Sequence, residues 1–88
     1  MISRDDIIGM SGLTEEEVDA IGEHEHCADI AAAMLGSYLL HREHGAERIR
    51  QMIRDDIRLA LGRGDRGHAR ELFMALRHFL HAHPEAMR

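Results

Sequence analysis

From Thr14 to Leu40 the chain reads TEEEVDAIGEHEHCADIAAAMLGSYLL, and its apolar positions return in alternating steps of three and four. Val18, Ile21, Ala28, Ala32, Leu35 and Leu39 share one face, the stripe of a buried helix, with Glu25 interrupting it. The spacing predicts one long helix over residues 14–40. Thr14 with Glu17 three positions on makes a capping box, and Leu13 with Val18 makes a hydrophobic staple, so Thr14 is the expected N-cap. Glu15, Glu16 and Glu17 complement the positive end of the helix dipole. Beyond Cys27, Ile30, Ala31, Ala33, Met34 and Tyr38 fill the remaining sides, so the helix is apolar nearly all round. Such a helix sits centrally in a bundle or in a subunit interface. Its alanines and Gly36 leave room for a second helix to come close.

The flanking pattern predicts three further helices. Residues 2–12 form a short one, with Ser3 as N-cap, Ile7, Ile8 and Met10 as its apolar side and Gly12 as its stop. The long helix ends between Leu40 and Glu43, with Gly45 as the stop. A helix over 46–61 buries Ile49, Met52, Ile53, Ile57 and Ala60, with Asp56 at the edge of its stripe. The GRGDRG run at 62–67 is the clearest turn, and its RGD triplet is turn chemistry. Asp65 caps a last helix over 66–82 that buries Ala69, Leu72, Phe73, Leu76, Phe79 and Leu80 and ends before Pro84. Short turns make neighbours antiparallel. The expected fold is therefore all-α, one domain over residues 1–88, a short N-terminal helix followed by three longer helices in an up-down-up bundle. On that map His26 lies level with the turn that ends at His68, while His41 and His44 share the opposite end with His78, His81 and His83.

Composition adds a partner to this picture. With two Phe, one Tyr and no Trp in 88 residues, aliphatic side chains and six Met must fill the core. A chain of this size buries only roughly 60% of its unfolded surface, so the bundle is expected to be completed by dimerisation or by a partner protein. The lone Cys27 excludes an internal disulfide, no apolar run reaches membrane-spanning length, and the opening residues carry no export signal. A cytoplasmic protein without a membrane partner is expected. A formal net charge of -5, with acid and base interspersed, argues against a nucleic-acid partner. The string SGLTEEEV has the look of a helix-turn-helix, but its second helix would turn Glu15, Glu16, Glu17 and Asp19 toward phosphates. Protonation of the eight histidines would take the charge from negative to slightly positive, so it is pH-sensitive.

Glu23 to Cys27, EHEHC, is the one dense cluster of metal-capable side chains. Glu23 and His26 have the Glu-x-x-His spacing that sets a carboxylate and an imidazole on adjacent turns of one helix face. Carboxylate oxygen with imidazole nitrogen suits Fe, Zn or Mn. Glu25, on the apolar stripe, needs a partner: a metal, His68, or an arginine such as Arg63 or Arg66. The candidate ligands are Glu23, Glu25, His26 and His68. This motif on a helix resembles the ferritin-like di-iron carboxylate proteins, including short-chain members that build a bundle from two subunits. The resemblance covers the motif and the helical architecture, and implies a di-metal site formed across a dimer. The sequence departs from it in lacking a matching second motif on another helix; Glu47 and Glu71 stand outside any such spacing. The competing reading is a solvated helix face.

Cys27 reads as a small buried hydrophobe or a soft ligand. His41, His44, His78, His81 and His83 read as caps at helix C-termini or as a second zinc or nickel set. There is no nucleophile elbow, and the glycine-rich run follows a helix rather than a strand, so a nucleotide loop is out of context and no catalytic residue is assigned. Two functions follow: a small metal-binding protein acting through the Glu/His cluster, or a non-catalytic homodimeric interaction module or accessory subunit whose contact surface is the long apolar helix.

Overall fold

The computed structural model describes residues 3–87, and among these the regular structure is all helical. The first helix, α1 (Arg4–Ser11), starts from a capping box in which Ser3 and Asp6 satisfy each other's backbone N–H, and it stops at Gly12 in the left-handed region, φ 82°. The expected start at Ile2 lies outside the described residues. Thr14 caps the next helix as the sequence predicts: its hydroxyl accepts from Glu17 N–H, and the Glu17 carboxylate accepts from Thr14 N–H at 2.9 Å.

The long helix predicted over 14–40 is two helices. α2 (Glu15–Glu25) ends where His26 takes a left-handed conformation, φ 54° and ψ 45°, and α3 (Asp29–Leu40) begins after Ala28. Cys27 N–H donates back to Gly22 O at 3.1 Å, the six-to-one bond of a Schellman stop. Glycine is favoured at position 22, because a Cβ on it would stand 3.0 Å from the Cys27 carbonyl oxygen. The chain then doubles back. A Cβ on Gly22 would lie 3.5 Å from Ala32 Cβ, and one on Gly36 would lie 2.2 Å from Leu13 Cδ1 and 3.0 Å from Ile21 Cδ1. The small residues of α3 thus receive α2 of the same chain. Glu25 and Ala28, placed on the buried stripe by the one-helix reading, are exposed because the stripe stops at Ile21 and resumes at Ala32.

The remaining helices follow their sequence signals closely. α4 (Gly45–Gly62) and α5 (Arg66–Ala82) differ from expectation by at most one residue at an end, and Asp65 Oδ1 accepts from His68 N–H as the cap. Gly64, at φ 78°, supplies the left-handed residue of the turn between them. Gly45, expected to stop the preceding helix, instead opens α4. A Cβ there would fall 1.5 Å from the Leu39 carbonyl oxygen, so only glycine lets α4 leave the end of α3 at that distance. After Ala82 a short 3-10 turn over Pro84–Met87 folds back and buries Ala86. With five α-helices among the described residues, the count differs from the four expected because of the break at His26.

The core gathers Val18 and Ile21 of α2, Ala32 and Leu39 of α3, Ile49 and Ile53 of α4, and Leu72 and Phe79 of α5. Phe79 is wholly buried, whereas Phe73, expected beside it, is 52% exposed. Arg4 ties the N-terminal half together: its guanidinium meets Asp29 of α3, Glu15 at 3.1 Å and Asp19 at 3.5 Å.

Candidate functional site

Only part of the predicted Glu/His cluster converges. Glu23, near the end of α2, pairs with His68 Nε2 in the first turn of α5, a place the sequence reading had offered to Glu25. The bond to Glu23 holds the His68 imidazole above its ordinary pKa, opposed in part by burial, and Glu71 adds to the rise from 3.5 Å at Nδ1. The two carboxylates therefore address opposite nitrogens of one ring. A single ion could replace one of these contacts but not both.

Glu25 and His26 do not join them. Glu25 turns to its neighbour His24, whose Nδ1 lies 3.2 Å from Oε2 and whose Nε2 lies 3.8 Å from Asp55 of α4. His26, as the left-handed stop, no longer follows the helical three-residue step that would align it with Glu23. Among the described residues no group of three or more His, Cys, Asp and Glu side chains is disposed to hold a metal ion.

Two buried carboxylates occupy positions the sequence pattern had read otherwise. Glu17, at 2% exposure, is both the capping-box partner of Thr14 and the acceptor for His78 Nδ1 at 3.2 Å, so a side chain assigned to the dipole also holds α5. Asp56, at 5% exposure, has an Oδ2 with no hydrogen-bond partner among the described residues. Burial, its largest influence, pushes its carboxyl pKa up, and the nearby His24 pulls it back. A buried polar atom without a partner costs about 1–3 kcal/mol, and more when it carries charge, which favours the protonated form; the legible signal of Asp56 was its place at the edge of the α4 stripe.

The histidines expected at one end stay together only in part. His41 Nδ1 lies 2.7 Å from Ser37 O at the end of α3, and His83 stacks on Phe79 with ring centroids 4.8 Å apart. His44 stands before α4 in the left-handed region, φ 61°, and shares a small cavity with His83. His78 faces Glu17, and His81 is exposed on α5.

What the surface does offer is apolar. Met10 of α1 and Ile30, Met34 and Tyr38 of α3 are 73%, 49%, 65% and 55% exposed. The three α3 residues repeat at four-residue steps along one helix face. A shallow cavity of about 360 Å³ between α1 and α3 is lined by Ile7, Met10, Ser11, Ala33, Met34, Ser37 and Tyr38, without a charged group. No helix among the described residues is long and apolar enough to cross a membrane.

Comparison with family models, with curated proteins and with solved structures gives no match to this chain.

Proposed function

We propose that this protein is a non-catalytic interaction module, a homodimer or accessory subunit, that pairs with a second copy through the outer face of α3. The observation that supports it is the apolar stripe of Ile30, Met34 and Tyr38, flanked by Met10, with the Arg42 guanidinium over the Tyr38 ring at its end. A two-fold axis through Met34 sets Ile30 against the partner's Tyr38 and Met34 against its own copy, so each apolar group finds an apolar group. Each such side chain, already about half covered, is worth about 1 kcal/mol when the rest of it is withdrawn from water. In this reading dimerisation completes the helical bundle, in the cytoplasm.

Sedimentation equilibrium of the wild type and of Met34→Asp tests the proposal. A wild-type dimer and a Met34→Asp monomer of unchanged helicity are expected; a monomeric wild type at high concentration overturns it.

Metal binding is supported by a separate observation, the meeting of Glu23 and His68 across 45 positions of sequence. An Fe, Zn or Mn ion there takes two ligands from this chain and completes its shell from water or from a second copy. Elemental analysis of untagged protein, with melting before and after chelation, separates the two readings. A bound ion whose removal lowers the melting temperature, and whose effect is lost in the double variant Glu23→Ala/His68→Ala, favours the metal reading. Metal-free protein insensitive to added ions leaves the module.

A further inference from the structure

The charge of this chain is divided in a way its total conceals. Residues 1–41 carry nine acidic side chains and one arginine, whereas residues 42–88 carry ten arginines and seven acids, and the chain has no lysine. Arg66, Arg70 and Arg77 lie four and seven residues apart on the exposed side of α5, and they share that face with Phe73, Met74 and His81.

Beside this face runs a groove of about 1110 Å³ between the start of α2, α5 and the terminal turn. Met74, Leu80 and Met87 give it an apolar lining, and Arg70, Arg77 and His81 stand along it. Met74 is 54% exposed and Met87 64%. Its walls also carry Glu16, at the start of α2, and Glu71, which lies 3.5 Å from His68 at the far end from Arg77. Neither Arg70 nor Arg77 takes part in an ion pair among the described residues.

We propose that this groove docks an acidic amphipathic helix of a partner protein, its apolar face against Met74, Leu80 and Met87 and its carboxylates on Arg70 and Arg77. The volume exceeds what a drug-sized ligand fills, and an open trough along a helix suits helix-in-groove recognition. Guanidinium groups match carboxylates two bonds at a time. An apolar floor between the arginines favours a ligand that carries apolar side chains between its charges, which a phosphate backbone does not. The surface is distinct from the α3 face, so this inference does not depend on dimerisation.

The test is fluorescence anisotropy with a labelled helical peptide bearing leucine on one face and glutamate along its rim, against the same composition scrambled and a lysine-rimmed counterpart. Expected are saturable binding of the acidic peptide, weakening with salt, and at least a tenfold loss in Arg70→Glu/Arg77→Glu and in Met74→Asp. Arg58→Glu, on α4 away from the groove, and Met34→Asp should bind as the wild type does. Circular dichroism confirms that the variants keep their helicity. Absence of binding, equal binding of the scrambled or lysine-rimmed peptide, or indifference to the groove variants overturns the proposal. So does displacement of the peptide by a duplex oligonucleotide or by phosphatidylserine vesicles at lower concentration, which would assign the arginines to phosphate.

Discussion

The two helical hairpins of this protein are built on different logic. Between α4 and α5 the turn is written into the chain: Gly64 takes the left-handed conformation and Asp65 caps the next helix. Between α2 and α3 the left-handed residue is His26, the N-cap of the next helix is Ala28, whose side chain offers no cap, and no glycine or proline marks the reversal itself. The first hairpin is specified locally. The second is held by what its halves bury, with Ile21 and Leu13 against Gly36 and Ala32 close to Gly22. A turn that lacks local instructions depends on tertiary packing, and substitutions should report that dependence with opposite signs in the two hairpins.

The largest effect is expected at the junction between the hairpins. Gly45→Ala would drive a Cβ into the Leu39 carbonyl, which is backbone and cannot rotate away. A loss of about 3 kcal/mol, at the upper end of overpacking costs, is expected in urea unfolding; a loss below a few tenths would mean that α3 and α4 part more easily than their contact implies.

The comparison sharpens with one substitution made in both hairpins. Gly22→Ala meets the Cys27 carbonyl oxygen and should cost about 1 kcal/mol. Gly62→Ala, with nothing within 4 Å of the added methyl, should gain up to about 1 kcal/mol from helix preference. His26→Gly removes the side chain from a left-handed position and should gain up to about 1 kcal/mol as well. Equal signs for Gly22→Ala and Gly62→Ala in thermal melting would erase the distinction.

The smallest effect is electrostatic and joins the hairpins. Because His68 is held above its ordinary pKa, chiefly by Glu23, its pairing contributes fully below about pH 6.5 and fades as pH rises through the raised value. Both partners are partly exposed, so Glu23→Gln should cost about 0.5 kcal/mol at pH 6 and nothing at pH 9. A loss that is the same at both pH values would assign Glu23 a packing role instead.

Part of the candidate site was legible, and what was not has a definite cause. Glu23 and His68 were both candidate ligands, but their direct pairing was not foreseen, because the map of levels ran along one unbroken helix over 14–40 and gave His68 to Glu25. That map failed for Glu25 and His26 because it continued a helix through them. The sign of the break was present: Glu25 interrupted the apolar stripe, which marked the end of one helix rather than a buried carboxylate in a longer one. Phe73 was misassigned because α5 is apolar over more of its circumference than one neighbour covers.

By itself the sequence determined the helical class, the caps at Ser3, Thr14 and Asp65, and the ends of α4 and α5 to within a residue. These are short-range matters, settled by hydrogen bonds within four residues and by the period of apolar positions. Only the tertiary structure decided that α2 folds back on α3, that Glu17 and Asp56 are buried, and which apolar side chains remain on the surface. Each depends on what lies across a helix–helix contact, where the free energy comes from surfaces far apart in sequence. A left-handed histidine is then chosen because the burial it permits outweighs its local strain.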